Sequence, residues 1–263
     1  DPMAALALWM SGYKGKVILH WHSDILKQKM MLKLYVPLQR WLLGRADAVV
    51  GTSPVYLQAS PFLQSAELNK VCIPIGIDPV VPDAESVADI RKRYAGKKLV
   101  FSLGRLVEYK GFEYLIKAAE YLPDEYLILI GGSGPLREKL EGLIKNCRLH
   151  DKVKLLGRVG DEDLPAYFGA CDLYVMSSIW KTEAFGIVQI EAMSCGKPVV
   201  ATKIDGSGVA WVNQDGVSGI NVETENAEAI ADAIVNILSD EKRYKEFSLA
   251  AKVRYETLFR KER

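Results

Sequence analysis

Glu183 and Glu191 stand eight positions apart in "TEAFGIVQIEA", on either side of seven residues that are nearly all apolar. On a continuous helix their carboxylates would lie about 12 Å apart along the axis, at ~1.5 Å per residue. That is too far to share one proton or one metal ion. It suits the two ends of one elongated ligand, and two unrelated surface acids fit it equally well. The first reading expects a helix over 184–195 with Glu183 at its start, at the carboxyl edge of a sheet. Free N–H groups of Phe185, Gly186 and Ile187 would then face an anion, and Gly186 would leave room for a phosphate. Glu191, two turns on, would accept bonds from hydroxyls.

Other residues could serve the same ligand. "RLVEYKG" places Arg105 and Lys110 in a loop after an apolar run. Arg binds phosphate as a fork and Lys as a point charge; an ordinary solvated pair, with Glu108 between them, reads as well from spacing alone. "GGSGPL" holds Gly131, Gly132 and Gly134, which allow close backbone approach. It fits neither the dinucleotide pattern, since Arg137 stands at the last glycine position, nor the P-loop, since no G-K-[ST] follows. "HWHSD" aligns His20 and His22 on one side of a strand, with Asp24 beyond. The third histidine, His150, is remote in sequence, too few ligands for a two-metal site. A histidine meeting a polar substrate and a structural histidine both remain open there.

These residues need a scaffold. The 263 residues are 49% hydrophobic and 25% charged, which allows one large domain or two moderate ones. With 34 Lys plus Arg against 33 Asp plus Glu, no global attraction for nucleic acid is expected. The four cysteines form no C-x-x-C pair and read as reduced thiols. Strands are expected at 16–21, 46–51, 70–75, 98–104, 126–132, 152–157, 172–177 and 197–202. Helices are expected at 26–44, 111–122, 135–146, 184–195 and 226–238. Apolar strands alternating with helices imply parallel sheets covered on both faces. Proline clustering after Pro74 marks a boundary. The expected division is a partial first domain over 1–78, a linker over 79–97, a second domain over 98–240 and a C-terminal helix over 241–263. Residues 27–45 carry Lys27, Lys29, Lys33, Arg40 and Arg45 without an acid; they read as a helix lying on an anionic membrane or as one packed on the sheet. Both chain ends read as cuts in a longer protein.

Taken together the motifs resemble glycosyltransferase family 4, retaining sugar-nucleotide transferases of the GT-B fold. The likeness runs through the chain and is densest from Phe101 to Val222. It rests on Glu183 and Glu191 followed by "AMSCGKPVVAT", on Gly104, Arg105, Lys110 and Gly111, on Gly132, Gly134 and Pro135, and on "LLGRV" with "LPAYFGACDLYV". The resemblance implies an α/β fold with two Rossmann-like parallel-sheet domains, the first incomplete. It implies that Arg105 and Lys110 neutralise a donor diphosphate, that Glu183 touches the transferred sugar and that Glu191 holds ribose hydroxyls. Gly104, Gly132, Gly134, Phe185, Gly186 and Ile187 would line the donor site, Arg158 and Val159 the nucleobase pocket, and His22 would contact the sugar. No metal or other cofactor is expected.

Several departures qualify the likeness, among them "GSGVAWVNQDG" where the family has Gly-Gly with an acid soon after. Ser177-Ser178 stands where the family has Pro-Ser, and the family's N-terminal Gly-rich loop is not in this chain. "GSGVAWVNQDG" and "HWHSDILKQK" resemble bacterial mannosyl- and rhamnosyl-type polysaccharide enzymes. The implied activity is hexosyl transfer, with GDP-mannose as a candidate donor, to a lipid-linked or saccharide acceptor at the cytoplasmic face of a membrane. Another GT-B enzyme, such as a sugar-nucleotide epimerase, and an inactive nucleotide-binding fragment are the alternatives.

Overall fold

A computed structural model describes residues 2–22, 29–65 and 67–261. The chain forms two compact units, Asp1–Pro74 and Ile75–Arg263.

The first unit runs α1 (Pro2–Ser11), β1 (Ile18–Trp21), α2 (Lys29–Arg45), β2 (Ala48–Gly51), α3 (Pro54–Ala59) and β3 (Lys70–Cys72). Its three strands are parallel in the order β1-β2-β3. Ser53 caps α3 by accepting the Tyr56 N–H at 3.1 Å, with Pro54 at the first helical position. Val49, Tyr56 and Leu63 are almost fully buried and form the centre of this unit.

The second unit runs α4 (Ala84–Arg93), β4 (Lys98–Leu103), α5 (Phe112–Ala118), β5 (Tyr126–Gly131), α6 (Arg137–Asn146), β6 (Val153–Gly157), α7 (Leu164–Ala170), β7 (Leu173–Met176), α8 (Ile187–Ser194), β8 (Val199–Lys203), α9 (Val209–Val212), β9 (Gly219–Glu223), α10 (Ala227–Leu238) and α11 (Glu241–Arg254). Six parallel strands lie in the order β6-β5-β4-β7-β8-β9. All six residues of β5 are buried, as expected for a strand covered on both faces. Side chains alternate between two cores. Val100, Ile128 and Val175 join α5, α6 and α10 on one face, while Leu99, Phe101 and Tyr174 join α7, α8 and α11 on the other. Both units are Rossmann-like parallel α/β layers, the GT-B class implied by the motifs.

Residues 79–97 are not a bare linker. Asp83 accepts the Ser86 N–H at 2.8 Å and caps α4, whose last turn carries Arg91, Lys92 and Arg93. The boundary between the units falls at Pro74, where the proline cluster begins, and the last proline of the cluster, Pro82, directly precedes the Asp83 cap. Arg91 then grips Asp172 with two hydrogen bonds of 2.9 and 2.6 Å, fixing α4 beside the start of β7. The C-terminal stretch also belongs to the second unit. Phe247, Ala251, Tyr255 and Phe259 recur every four residues and are buried. Beyond them, Ile77 N–H bonds Phe259 C=O at 2.8 Å and Lys261 N–H bonds Ile77 C=O at 3.2 Å.

Candidate functional site

From β4 the chain builds β5 and β6 to one side, and from β7 it builds β8 and β9 to the other. β4 and β7 pair directly, Val100 with Leu173 and Phe101 with Tyr174. The strand order therefore reverses between them, and the carboxyl ends of two such strands are where open parallel sheets receive ligands. The loops that leave this point are 104–111 and 177–186, which carry Gly104, Arg105, Lys110, Glu183, Phe185 and Gly186.

Glu183 is not at the start of a helix. Its N–H closes a turn onto Trp180 C=O at 2.9 Å, and α8 begins only at Ile187. The interruption is Gly186, which caps α8 at φ +79°. A Cβ there would lie 2.6 Å from both Met176 Sδ and Gln189 Nε2, so glycine is needed for conformation and for space. The loop is pinned on two sides. Ile179 N–H bonds Tyr109 C=O at 2.8 Å, and Ser177 Oγ donates to Lys110 C=O at 2.9 Å. From the other side Gly208 N–H bonds Ala184 C=O at 2.9 Å, and Ser207 Oγ donates to Glu183 C=O.

The Glu183 carboxylate pairs with the Lys110 ammonium and accepts a 3.3 Å bond from Ser178 Oγ. The two charged side chains are only 13% and 12% exposed, so each depends on the other. Lys110 lies across Gly104, where a Cβ would come within 3.2 Å of its Cε. Arg105 differs: it is exposed and has no ion-pair partner among the described residues. It is the free cation of the loop. The first-turn N–H groups of α8, at Ile187 and Val188, have no intrahelical carbonyl to bond. Phe185, one residue outside, turns its ring into the core against Trp211 and Phe259.

Glu191 occupies the second turn of α8. Its carboxylate is half-buried and has no hydrogen-bond or ion partner among the described residues. Burial, then the charge of Asp161, raises its pKa above the ordinary glutamate value. Tyr174 lies beneath both acids. Its hydroxyl donates to Leu103 C=O at 3.4 Å, and burial followed by the charges of Glu183 and Glu191 keeps it protonated.

The glycine turn after β5 serves packing. A Cβ on Gly132, at φ +137°, would lie 1.9 Å from Gly104 C=O, and one on Gly134 would meet the Leu106 backbone at 2.5 Å. Their role here is to let this turn close onto the loop that presents Arg105. Val159 packs over Gly131 and Arg158 is exposed beside it, both in the β6–α7 loop.

In the first unit His22 is exposed just beyond β1, its ring 4.1 Å from that of His20. Burial, then His22, lowers the His20 pKa. Asp24 and Lys27 lie outside the described residues. Among the described residues no three His, Cys, Asp or Glu side chains group as a metal site requires, and no helix is long and apolar enough to cross a membrane. Sequence reading missed Ser178, Ser207 and Tyr174. Small hydroxyls after a strand carry no signal of the carboxylate they will hold, and a strand tyrosine reads as core.

Comparison with known proteins gives the same frame. A family model described as "Glycosyl transferases group 1" matches residues 84–254. The chain is 32% identical to the O-antigen chain mannosyltransferase C of Escherichia coli over 93% of its own length and 65% of that protein. It is 30% identical to the D-rhamnosyltransferase WbpZ of Pseudomonas aeruginosa over 98% of its length and 67% of that protein. Among solved structures, Anabaena Alr3699/HepE in complex with UDP superposes with a TM-score of 0.85 at 26% identity, covering 98% of this chain and 72% of that one. The chain thus spans about two thirds of the length of these two curated relatives.

Proposed function

The chain belongs to the group 1 glycosyl transferases, and from that premise we propose that it carries the donor site of a retaining transferase. The reaction moves a hexose from a nucleotide-diphosphate sugar to a lipid-linked or saccharide acceptor in cell-surface polysaccharide synthesis. Mannose from GDP-mannose is the donor we put first, in keeping with the name of the mannosyltransferase relative.

The observation that carries this reading is the placing of charge at the switch point. Arg105, without an ion-pair partner among the described residues, and the first turn of α8 follow strands β4 and β7, and Glu191, a carboxylate without a partner among the described residues, lies in the second turn of the same helix. A diphosphate answers the first two and ribose hydroxyls answer the third. Glu183 then accepts bonds from the transferred hexose, while Lys110 balances its charge and stands beside the diphosphate. As the sugar–oxygen bond breaks, negative charge grows on the leaving diphosphate. Fixed cations and N–H groups stabilise it without reorganising. No metal is assigned a role. His22 is proposed to touch the sugar, and residues 27–45 to contact a membrane at its cytoplasmic face.

Thermal melting with GDP, GDP-mannose, UDP and UDP-glucose, with and without EDTA, tests the reading. A ligand at 100 times its Kd stabilises the fold by about 2.7 kcal/mol. A shift with one nucleotide pair, unchanged by EDTA, is expected. No shift with any of the four, or a shift abolished by EDTA, overturns it.

A further inference from the structure

The turn that closes on Glu183 begins at Trp180, and Trp180 C=O receives the Glu183 N–H at 2.9 Å. The two side chains therefore leave one short, hydrogen-bonded turn. Ile179, next to Trp180, is fixed by its bond to Tyr109 C=O, and Ser178 by the Thr202 hydroxyl that donates to its carbonyl. Trp180 therefore sits between anchored residues. Its indole is nonetheless 38% exposed, unlike the aromatic ring of Phe185 in the same loop, which is 4% exposed.

A pyranose has hydroxyls around its rim and C–H groups on its faces. A site for it needs acceptors for the rim and an apolar surface for a face. Glu183 offers the first, steadied by the buried Ser178 hydroxyl. We propose that Trp180 offers the second, as the shelf on which the transferred hexose lies, and that it sets which face and ring substituents are accepted. A flat, stiff aromatic body suits that task, since little side-chain freedom is lost on binding. Tyr109, bonded through its carbonyl to Ile179 N–H, carries the Lys110 ammonium over its ring at 5.5 Å. This assignment rests on the donor-site reading above.

The test separates the sugar from the nucleotide. Dissociation constants of GDP, GDP-mannose, UDP and UDP-glucose are measured for the wild-type chain, Trp180→Ala and Trp180→Phe. For whichever pair binds, Trp180→Ala is expected to weaken the nucleotide sugar by roughly threefold to tenfold, the scale of one aromatic stacking contact. The free nucleotide should keep its affinity within about twofold. Trp180→Phe, which keeps a flat ring, should restore most of the loss. Equal weakening of nucleotide and nucleotide sugar, or none of either, overturns the shelf while leaving the donor site standing. Failure of the wild-type chain to bind either pair overturns both.

Discussion

Glu183 sits in a loop pinned from two sides, its carboxylate answered by Lys110 and Ser178. Glu191, eight residues on, sits in a regular helix, half-buried and without a partner among the described residues. The motif gives both positions the same residue, and the fold gives them opposite states. One charge is answered by protein groups and fixes geometry. The other has no protein partner among the described residues and can accept hydrogen bonds from outside. Breaking the pair at each end should therefore have different consequences for stability, binding and pH.

The largest effect is expected at Glu183. Glu183→Ala removes the partner of a Lys110 ammonium that is only 12% exposed. Urea unfolding should show a loss of about 3 kcal/mol, the scale for a broken buried pair. Sugar transfer or donor hydrolysis should fall on the order of 10²–10³-fold. Unchanged unfolding would mean that the ion pair contributes nothing in solution, and the contrast with Glu191 would collapse.

Arg105→Ala comes next and should separate binding from stability. The side chain is exposed and bonds nothing among the described residues, so melting should stay within about 0.5 kcal/mol of wild type. Loss of charge-assisted bonds to a diphosphate is worth about 1.5–3 kcal/mol; isothermal titration with the nucleotide diphosphate should therefore show roughly tenfold to hundredfold weaker binding. Unaltered affinity would remove Arg105 from the site and leave Lys110 as the only loop cation to meet the phosphates.

Gly132→Ala tests the platform beneath both. The new Cβ would stand 1.9 Å from Gly104 C=O, at a φ of +137° that L side chains rarely adopt. A loss of roughly 2 kcal/mol is expected from backbone strain alone, with weaker nucleotide binding because the Arg105 loop must shift. Full stability in the variant would show that the two loops are not in contact.

The scaffold was largely legible because buried parallel strands are continuous apolar runs. All eight expected strands appear, trimmed at their ends. β9 was missed because "GINVE" is short and half polar, and α4 because its start was hidden in prolines. The placement of Arg105 and Lys110 in the loop after β4 was legible. Their states were not. That Lys110 pairs with Glu183 across 73 residues depends on β4 and β7 being neighbours, which only the strand order supplies. Gly132 and Gly134 read as ligand glycines because close approach to a phosphate and close approach to another loop demand the same residue.

The smallest effect belongs to Glu191 and lies in the pH dependence. Its folded pKa is raised, chiefly by burial. A raised carboxyl holds its proton in the folded state after the unfolded chain has released it. Stability must then fall as pH rises from the ordinary glutamate value to the folded one, and the cost persists above it. Glu191→Gln lacks this term, so its stability should decline less than wild type across that window. Binding should act in the opposite sense. Hydroxyls that donate to the carboxylate favour its ionised form, so a bound nucleotide pulls the pKa back down and releases a proton within the same window. Calorimetry in two buffers of different ionisation enthalpy measures that release. Wild type should show it for a nucleotide with a ribose, and Glu191→Gln should not. Equal proton release from both proteins would mean that the ribose hydroxyls go elsewhere, and that Glu191 does not receive them.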